Sequence, residues 1–451
     1  MINIQSDSRK IKKGDIFVAL KCEVNDGHKY IEKAIENGAS KIVAEHGNYS
    51  VPTLIVEDTR KYITNYLKEN YNKYIEEMTI IGITGTNGKT TSAYLTYQAL
   101  NKLGTKCAYI GTIGFYLDKK ISSLPNTSVD ICDTYNLIME AYMKGYKTVV
   151  LEVSSHALAN NRLETLRFDY GVFTNLTQDH LDFHKTMENY ALAKQKLFTM
   201  LKPQGKAIIN IDDEYKQYFL NEKNNNITYG FNKSDYQIKN FKFEASSTQF
   251  TYIHDNKNID IKTKLIGKFN VYNCMIPIII LDDLGYKNKE VMEELKAPEG
   301  RMDNINYKGN NILIDYAHTP DAILKVINTV KEISKGNIYV VFGCTGDRDR
   351  LKRPIMTKIV SELSKYFIIT NDDPHYEDPN QIVDDMLKEK DFNNFEVCLD
   401  RKEAIRKGIE LLKKDDILLI LGKGHEEVMI IKDERIPFND RKVVEEIIKE
   451  Q

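Results

Sequence analysis

Short apolar runs alternate with amphipathic stretches along most of the chain. In a first block, GDIFVAL (14–20) and KIVAEH (41–46) carry the β-branched content of strands. Between them, HKYIEKAIENGA (28–39) spaces its apolar residues as a helix does. A polar, aromatic stretch, NYLKENYNKYIEEM (65–78), leads into a second block. There the strand TIIGIT (79–84) meets a glycine loop, and TTSAYLTYQALNKLG (90–104) follows as a helix stopped by glycine. KTVVLEV (147–153), FDYGVFTN (168–175) and KAIINI (206–211) are further strands, separated by helix-length segments such as MENYALAKQKLFTML (187–201). Strands alternating with helices predict a doubly wound α/β domain with a mostly parallel sheet. Residues 224–265 break the rhythm and suit antiparallel strands or an insertion. A third α/β block begins near Pro298, with strands NILIDYA (311–317), IYVVFG (338–343), YFIIT (366–370) and DILLILG (416–422). The expected boundaries are 1–75, 76–297 and 298–451.

Bulk properties narrow the class. The 451 residues suffice for several domains, with 42% hydrophobic and 28% charged content. A net charge of −2 provides no global field for nucleic acid or an anionic membrane. The six cysteines, at 22, 107, 132, 274, 344 and 398, form no CxxC pair and no metal-ligand spacing, as expected of reduced cytosolic thiols. The start, MINIQSDSRK, has no apolar core for a secretory leader. The longest apolar runs fall far short of a membrane span. A soluble, cytoplasmic, monomeric protein acting on small molecules is expected.

The strongest chemistry lies in the loop Gly85, Thr86, Asn87, Gly88, Lys89, Thr90, Thr91 between a strand and a helix. Glycines let backbone N–H groups close on phosphate oxygens, the helix N-terminus favours the anion, and Lys89 neutralises it. Thr90 is the hydroxyl expected on Mg²⁺. Ile83 stands where the common GxxxxGK[ST] spacing has its first glycine, so this is not the ordinary form of the loop. Glu152, closing the strand KTVVLEV, is placed to hold the nucleotide's magnesium. Asp179, His180, Asp182 and His184 crowd six residues after the strand FDYGVFT. Read alone that cluster suits a solvated loop; on the sheet edge that carries the phosphate loop it suits a metal.

GTNGKTT, LEVSSHAL, FTNLTQDHLDFH and YALAKQKLF, in this order, resemble the Mur ligases of peptidoglycan synthesis. GKFNVYN, PEGRMD, DYAHTP, FGCTGDRDRLKRP and LGKGHEE extend the likeness over nearly the whole chain, toward the members that add the third amino acid. The resemblance implies a three-domain fold: a UDP-substrate domain, a central ATP-binding P-loop domain and a C-terminal Rossmann-like amino-acid domain. It also implies a role in cell wall biogenesis, and so in cell shape and division. The implied reaction is ADP-forming: γ-phosphate passes to the D-Glu carboxylate of UDP-MurNAc-L-Ala-D-Glu, and an amine displaces phosphate from the acyl phosphate. ATP and Mg²⁺ are the implied cofactors. Lys194 matches the family's carbamylated lysine, with His180 on a second magnesium; on its own, Lys194 would read as an exposed helix lysine. Asn270, Arg301 and Asp315 fall at nucleotide positions, although Asp315 equally suits a cap. Ser8, His28, Thr127, Ser128, Ser154 and Arg162 fall at the UDP-sugar-peptide positions, although His28 equally suits a satisfied core histidine.

Members that add meso-diaminopimelate carry Asp-Asn-Pro-Arg at the amino-acid site, where this chain has Asp372-Asp373-Pro374-His375. Histidine cannot form arginine's bidentate fork, and Asp373 adds a negative charge. With Gly422 and Glu426 beside them and Arg348 for the α-carboxylate, these changes favour L-lysine, with meso-diaminopimelate the alternative. Folylpolyglutamate synthetases share the loop but place it near the N-terminus. A binding or scaffold subunit of this fold would carry a four-cysteine zinc insertion, which this sequence lacks. A paralogue ligating a different acid remains a third reading.

Overall fold

The computed structural model describes residues 3–21, 26–244, 247–287, 289–388 and 392–450. Cys22 lies outside them; the other five cysteines are free thiols.

The first block is a four-stranded parallel sheet, ordered Ile4–Gln5, Ile16–Val18, Lys41–Ala44 and Thr53–Ile55. The stretch read from its polarity as a lead-in is instead most of an 18-residue helix, Thr59–Glu76. Asp58 caps that helix by accepting from Lys61 N–H. Ile63, Leu67 and Ile75 form its buried stripe, and tyrosines do the remaining packing. Because Tyr66 and Tyr71 donate hydroxyls to Asn3, the helix face stays polar in sequence while it is packed in space.

The central sheet has eleven strands. Six of them lie side by side and parallel: Asn225–Gly230, Leu201–Asn210, Phe168–Phe173, Thr79–Thr84, Thr148–Glu152 and Cys107–Gly111. Tyr236–Glu244, Ser247–His254 and Lys257–Thr263 extend one edge, paired antiparallel to each other. These fill the region where the strand–helix rhythm fails. Thr79–Thr84 is buried almost throughout, which is why TIIGIT is continuous rather than alternating. Its carboxyl end opens between two neighbouring strands, the position where open α/β sheets bind ligands. Helix Lys89–Lys102 starts there, behind Gly88, whose φ of +85° a side chain would resist.

The third block is a six-stranded sheet ordered Asp303–Tyr307, Asn310–Asp315, Ile417–Leu421, Ile338–Phe342, Tyr366–Ile369 and Phe395–Val397. All its pairings are parallel except the first. Arg401, fully buried, forms a two-pronged ion pair with Asp440 at 2.8 Å and caps the carbonyls of Asn371 and Leu421. That ties the last helix to two strand ends bordering the site. Among the described residues no helix is long and apolar enough to cross a membrane.

Candidate active site

Around the phosphate loop the neighbouring strand end forms a brace. Asn175 accepts from Asn87 N–H and donates to the Asn87 carbonyl, while its own carbonyl accepts from Thr86 N–H. Thr174 donates to the Asn87 carbonyl at 2.7 Å. A Cβ at Gly85 would lie 1.9 Å from the Thr174 hydroxyl, so only glycine fits beneath this brace. Lys89 bonds back to the carbonyls of Gly85 and Thr86, and Lys194 bonds the Gly85 carbonyl at 2.8 Å. Thr90 donates to Glu152 at 2.8 Å. Residues as far as 109 apart in sequence therefore meet on one turn.

Lys194 is 1% exposed, and its amine bonds the Gly85 carbonyl. Burial, then the Lys89 charge, holds its amine well below the ordinary lysine range. This overturns the local reading of an exposed helix lysine. The helix Met187–Thr199 turns Tyr190, Ala191, Lys194 and Leu197 inward together. Burial also pushes His180 down to about 3 and His184 to about 4, leaving neutral imidazoles that can offer a lone pair. His180 adopts a left-handed φ of +54° and packs edge-on to His156, with Asp179 beside it at 3.3 Å. Burial would raise Asp179, but its pairing with His180 and the charge of Lys352 bring it below its usual range.

A cavity of about 420 Å³ opens beside the loop. Asn87, Gly88, Asn270, Arg301, Asp315 and Tyr316 line it. Its size suits a nucleotide. Arg301 stacks on Tyr316 with its guanidinium 4.5 Å from the ring centre and reaches Thr90 at 3.5 Å. Its buried Nε has no partner, as fits a group waiting for an anion. Asp315 accepts from Met302 and Ala317 N–H, so the capping role is met whatever else it binds. Asn87 also donates to Asp321 at 2.9 Å, tying the central domain's loop to the third domain.

The positions expected to hold the sugar–peptide divide. Ser128 is buried, donates to the Glu152 carbonyl and accepts from Ser154 N–H. Ser154 caps the next helix through Ala157 N–H, and Arg162 bonds the Ser128 carbonyl at 3.3 Å. Thr127 bonds Thr112 at 3.0 Å. These four sit together beside Glu152. Ser8 and His28 lie in the first sheet domain. His28 donates through Nδ1 to Asp26 and accepts through Nε2 from Glu45 N–H, so both ring nitrogens are occupied within the protein. That geometry matches the satisfied histidine.

At the amino-acid end, Lys423 is fully buried and bonds Asp373 at 2.8 Å and Glu426 at 2.7 Å, with Asp372 at 3.9 Å. Burial opposes its charge, yet the three carboxylates hold it above the ordinary lysine range. Burial in turn raises Glu426, as one ammonium shared among three acids requires. Gly422, at φ +111°, leaves room for Asp372: a Cβ there would lie 2.5 Å from its carboxylate. His375 is half-buried at φ +50° and is pinned by backbone bonds to Ile430 and Lys432. Arg348 is exposed and, among the described residues, bonds its neighbour's carbonyl alone, at 3.5 Å. Asp373 therefore spends its charge on Lys423 and on Ile430 N–H rather than on a substrate. The part of the case for an ammonium-ended substrate that rested on Asp373 falls with it.

Sequence reasoning passed over Lys423, Tyr109, Thr112, Tyr190 and Tyr316. Lys423 sits inside a quoted motif, and its flanking glycines signalled a tight approach. Tyr190 and Tyr316 likewise sit inside YALAKQKLF and DYAHTP, whereas Tyr109 and Thr112 are single residues with no local pattern.

A phosphate loop at a sheet switch point, a stacked arginine reaching it and a third domain closing over it define an ATP-dependent ligase. The residues match three family models: "Mur ligase family, catalytic domain" at 2–90, "Mur ligase middle domain" at 83–281 and "Mur ligase, glutamate ligase domain" at 300–424. The chain belongs to the Mur ligase family, the ADP-forming amide-bond ligases of peptidoglycan synthesis. A UDP-N-acetylmuramoyl-L-alanyl-D-glutamate–2,6-diaminopimelate ligase of Clostridium botulinum is 41% identical over 99% of this chain and 95% of its own. One of the same name from Aquifex aeolicus is 41% identical over 99% and 93%. A solved structure of that name has 32% identity and a TM-score of 0.69, covering 100% of this chain and 95% of its own. These relatives favour diaminopimelate over the lysine expected from Asp373 and His375.

Proposed function

We propose that this ligase joins meso-diaminopimelate to the D-Glu carboxylate of UDP-MurNAc-L-Ala-D-Glu, in the cytoplasm and as a monomer. The observation carrying the choice of amino acid is the neutralised Asp373 beside a free Arg348. Because Asp373 is paired with Lys423 it does not stand free to select an ammonium, and Arg348 supplies a guanidinium for one of the substrate's carboxylates. The names of the relatives agree.

In the chemistry proposed, the D-Glu carboxylate oxygen bonds to the γ-phosphorus while the bond to ADP breaks. The incoming amine then bonds to the acyl carbon, phosphate leaves with the electron pair, and the nitrogen loses its proton to solvent. Lys89 and Arg301 hold the triphosphate, and Arg162 faces the anionic peptide. Thr90 and Glu152 offer oxygen donors that suit the nucleotide's magnesium, and His180 offers a lone pair to a second. When bound, the metal screens the repulsion between a carboxylate and a triphosphate. Lys194 has the neutral, buried amine that can add to carbon dioxide and lose a proton, giving a carbamate oxygen donor in place of a repelling ammonium.

The test is ADP release from purified protein with UDP-MurNAc-L-Ala-D-Glu and each amino acid. Release with meso-diaminopimelate at more than ten times the L-lysine rate is expected. Preference for L-lysine would overturn the substrate assignment.

A further inference from the structure

Glu152 is held by more donors than a metal-binding carboxylate needs. Its Oε2 accepts from the Thr90 hydroxyl at 2.8 Å and the Thr112 hydroxyl at 3.0 Å. Its Oε1 accepts from Thr112 N–H at 2.9 Å and from the Tyr109 phenol. The phenol oxygen also accepts from Ile113 N–H at 3.5 Å, which fixes the direction in which its proton points. Tyr109 is fully buried, and its ring is boxed by Tyr94, Tyr97 and Tyr116 at centroid distances of 5.9, 6.2 and 5.6 Å. Aromatic packing on three sides, edge-on from Tyr94 and Tyr116 and tilted from Tyr97, holds the ring in one orientation. Gly111 completes the arrangement, since a Cβ there would lie 2.4 Å from Glu152 Oε1 and 2.6 Å from the phenol oxygen.

Nothing in the ligation chemistry calls on a tyrosine here, and a phenylalanine would fill the same space. The hydroxyl is retained in a fully buried position where its one proton partner is the carboxylate beside the phosphate loop. Oε1 is turned away from the loop, while Oε2 meets Thr90. Pinning Oε1 therefore fixes the rotation of the carboxylate about its last bond, and with it the direction of Oε2. A carboxylate free to rotate loses part of its metal affinity to the entropy of being ordered on binding.

We infer that Tyr109 is a positioning residue that locks the Glu152 carboxylate so that Oε2 and the Thr90 hydroxyl face the nucleotide's divalent cation as a preset pair. The inference rests on the metal reading of Glu152 given above. It assigns a role to the tyrosine box: it is the rigid wall of the metal-facing edge.

The experiment is manganese binding, followed by the electron spin resonance of free Mn²⁺, to full-length protein with a non-hydrolysable ATP analogue. It reads the site without turnover. Tyr109→Phe keeps the ring and is expected to weaken manganese roughly tenfold, with the magnesium needed for half-maximal ADP release rising in parallel. Tyr97→Phe removes a hydroxyl of the same box that bonds only the Leu117 carbonyl, and is expected to bind manganese as the wild type does. Should Tyr109→Phe fail to fold, Gly111→Ala displaces the same pair from the backbone side and is expected to weaken manganese in the same direction. A Tyr109→Phe protein that melts lower yet binds manganese as tightly as the wild type overturns the inference and leaves a packing role. A wild type that binds no manganese with the nucleotide analogue overturns the metal reading itself.

Discussion

Replacing Lys423 by methionine keeps the apolar stem of the side chain and removes its charged end. Asp373 and Glu426 then lose an ammonium at 2.8 and 2.7 Å while their own burial is unchanged. Removing one partner of a buried pair costs about 3–5 kcal/mol, because the charge left behind is uncompensated. Two features place the loss at the lower end, roughly 3 kcal/mol. Asp373 keeps its bond from Ile430 N–H, and Glu426 is already raised and takes up a proton readily. The sign of the pH dependence follows. In the variant Glu426, already raised by burial, also loses the ammonium that lowers it, so the folded state binds more protons and its stability falls as pH rises. Urea unfolding of both proteins near pH 8 and near pH 5.5 measures this. The deficit is expected to be large at the higher pH and to shrink toward the lower. A deficit below about 1 kcal/mol, or one equal at both pH values, would refute the claim that Lys423 neutralises this cluster.

Asp373→Asn should leave the preference for meso-diaminopimelate over L-lysine intact in competitive ligation, because Asp373 faces Lys423; a switch of preference would restore its substrate role. Gly85→Ala should abolish nucleotide binding in calorimetry without unfolding the chain, since its Cβ meets Thr174 at 1.9 Å. Asp440→Ala should destabilise the third domain by about 3–5 kcal/mol in denaturant, as it strands the buried Arg401. Glu377, bonded by Arg353, is held near 2 against a usual 4.5, so its contribution is complete above pH 4.5 and lost as pH falls toward 2. Acid unfolding of Glu377→Gln, compared with the wild type, should show that step removed.

Strands buried on both faces announced themselves as apolar runs, so TIIGIT, KTVVLEV and IYVVFG were legible at once. The glycine loop was equally plain, because backbone approach to phosphate needs glycine at fixed places. The helix Thr59–Glu76 was not, since tyrosines and asparagines do much of its packing and read as polar. Charge at the amino-acid end was misread for a different reason. Asp373 and Lys423 are 50 residues apart, and only the fold shows that one cancels the other. A motif lists its side chains but not which of them are already spent. His28 is the same case on a smaller scale, its two nitrogens claimed by Asp26 and Glu45. Lys194 runs the opposite way: a helix lysine by pattern, it is buried, and burial first and the Lys89 charge second depress its amine.

The central claim is that carboxylate activation by ATP precedes amide formation. UDP-MurNAc-L-Ala-D-Glu labelled with heavy oxygen in the D-Glu γ-carboxylate, incubated with protein, ATP and meso-diaminopimelate, tests it in one step. An acyl phosphate requires one labelled oxygen to leave with each phosphate released, and mass spectrometry of that phosphate should find it. Unlabelled phosphate accompanying an amide product would contradict the account.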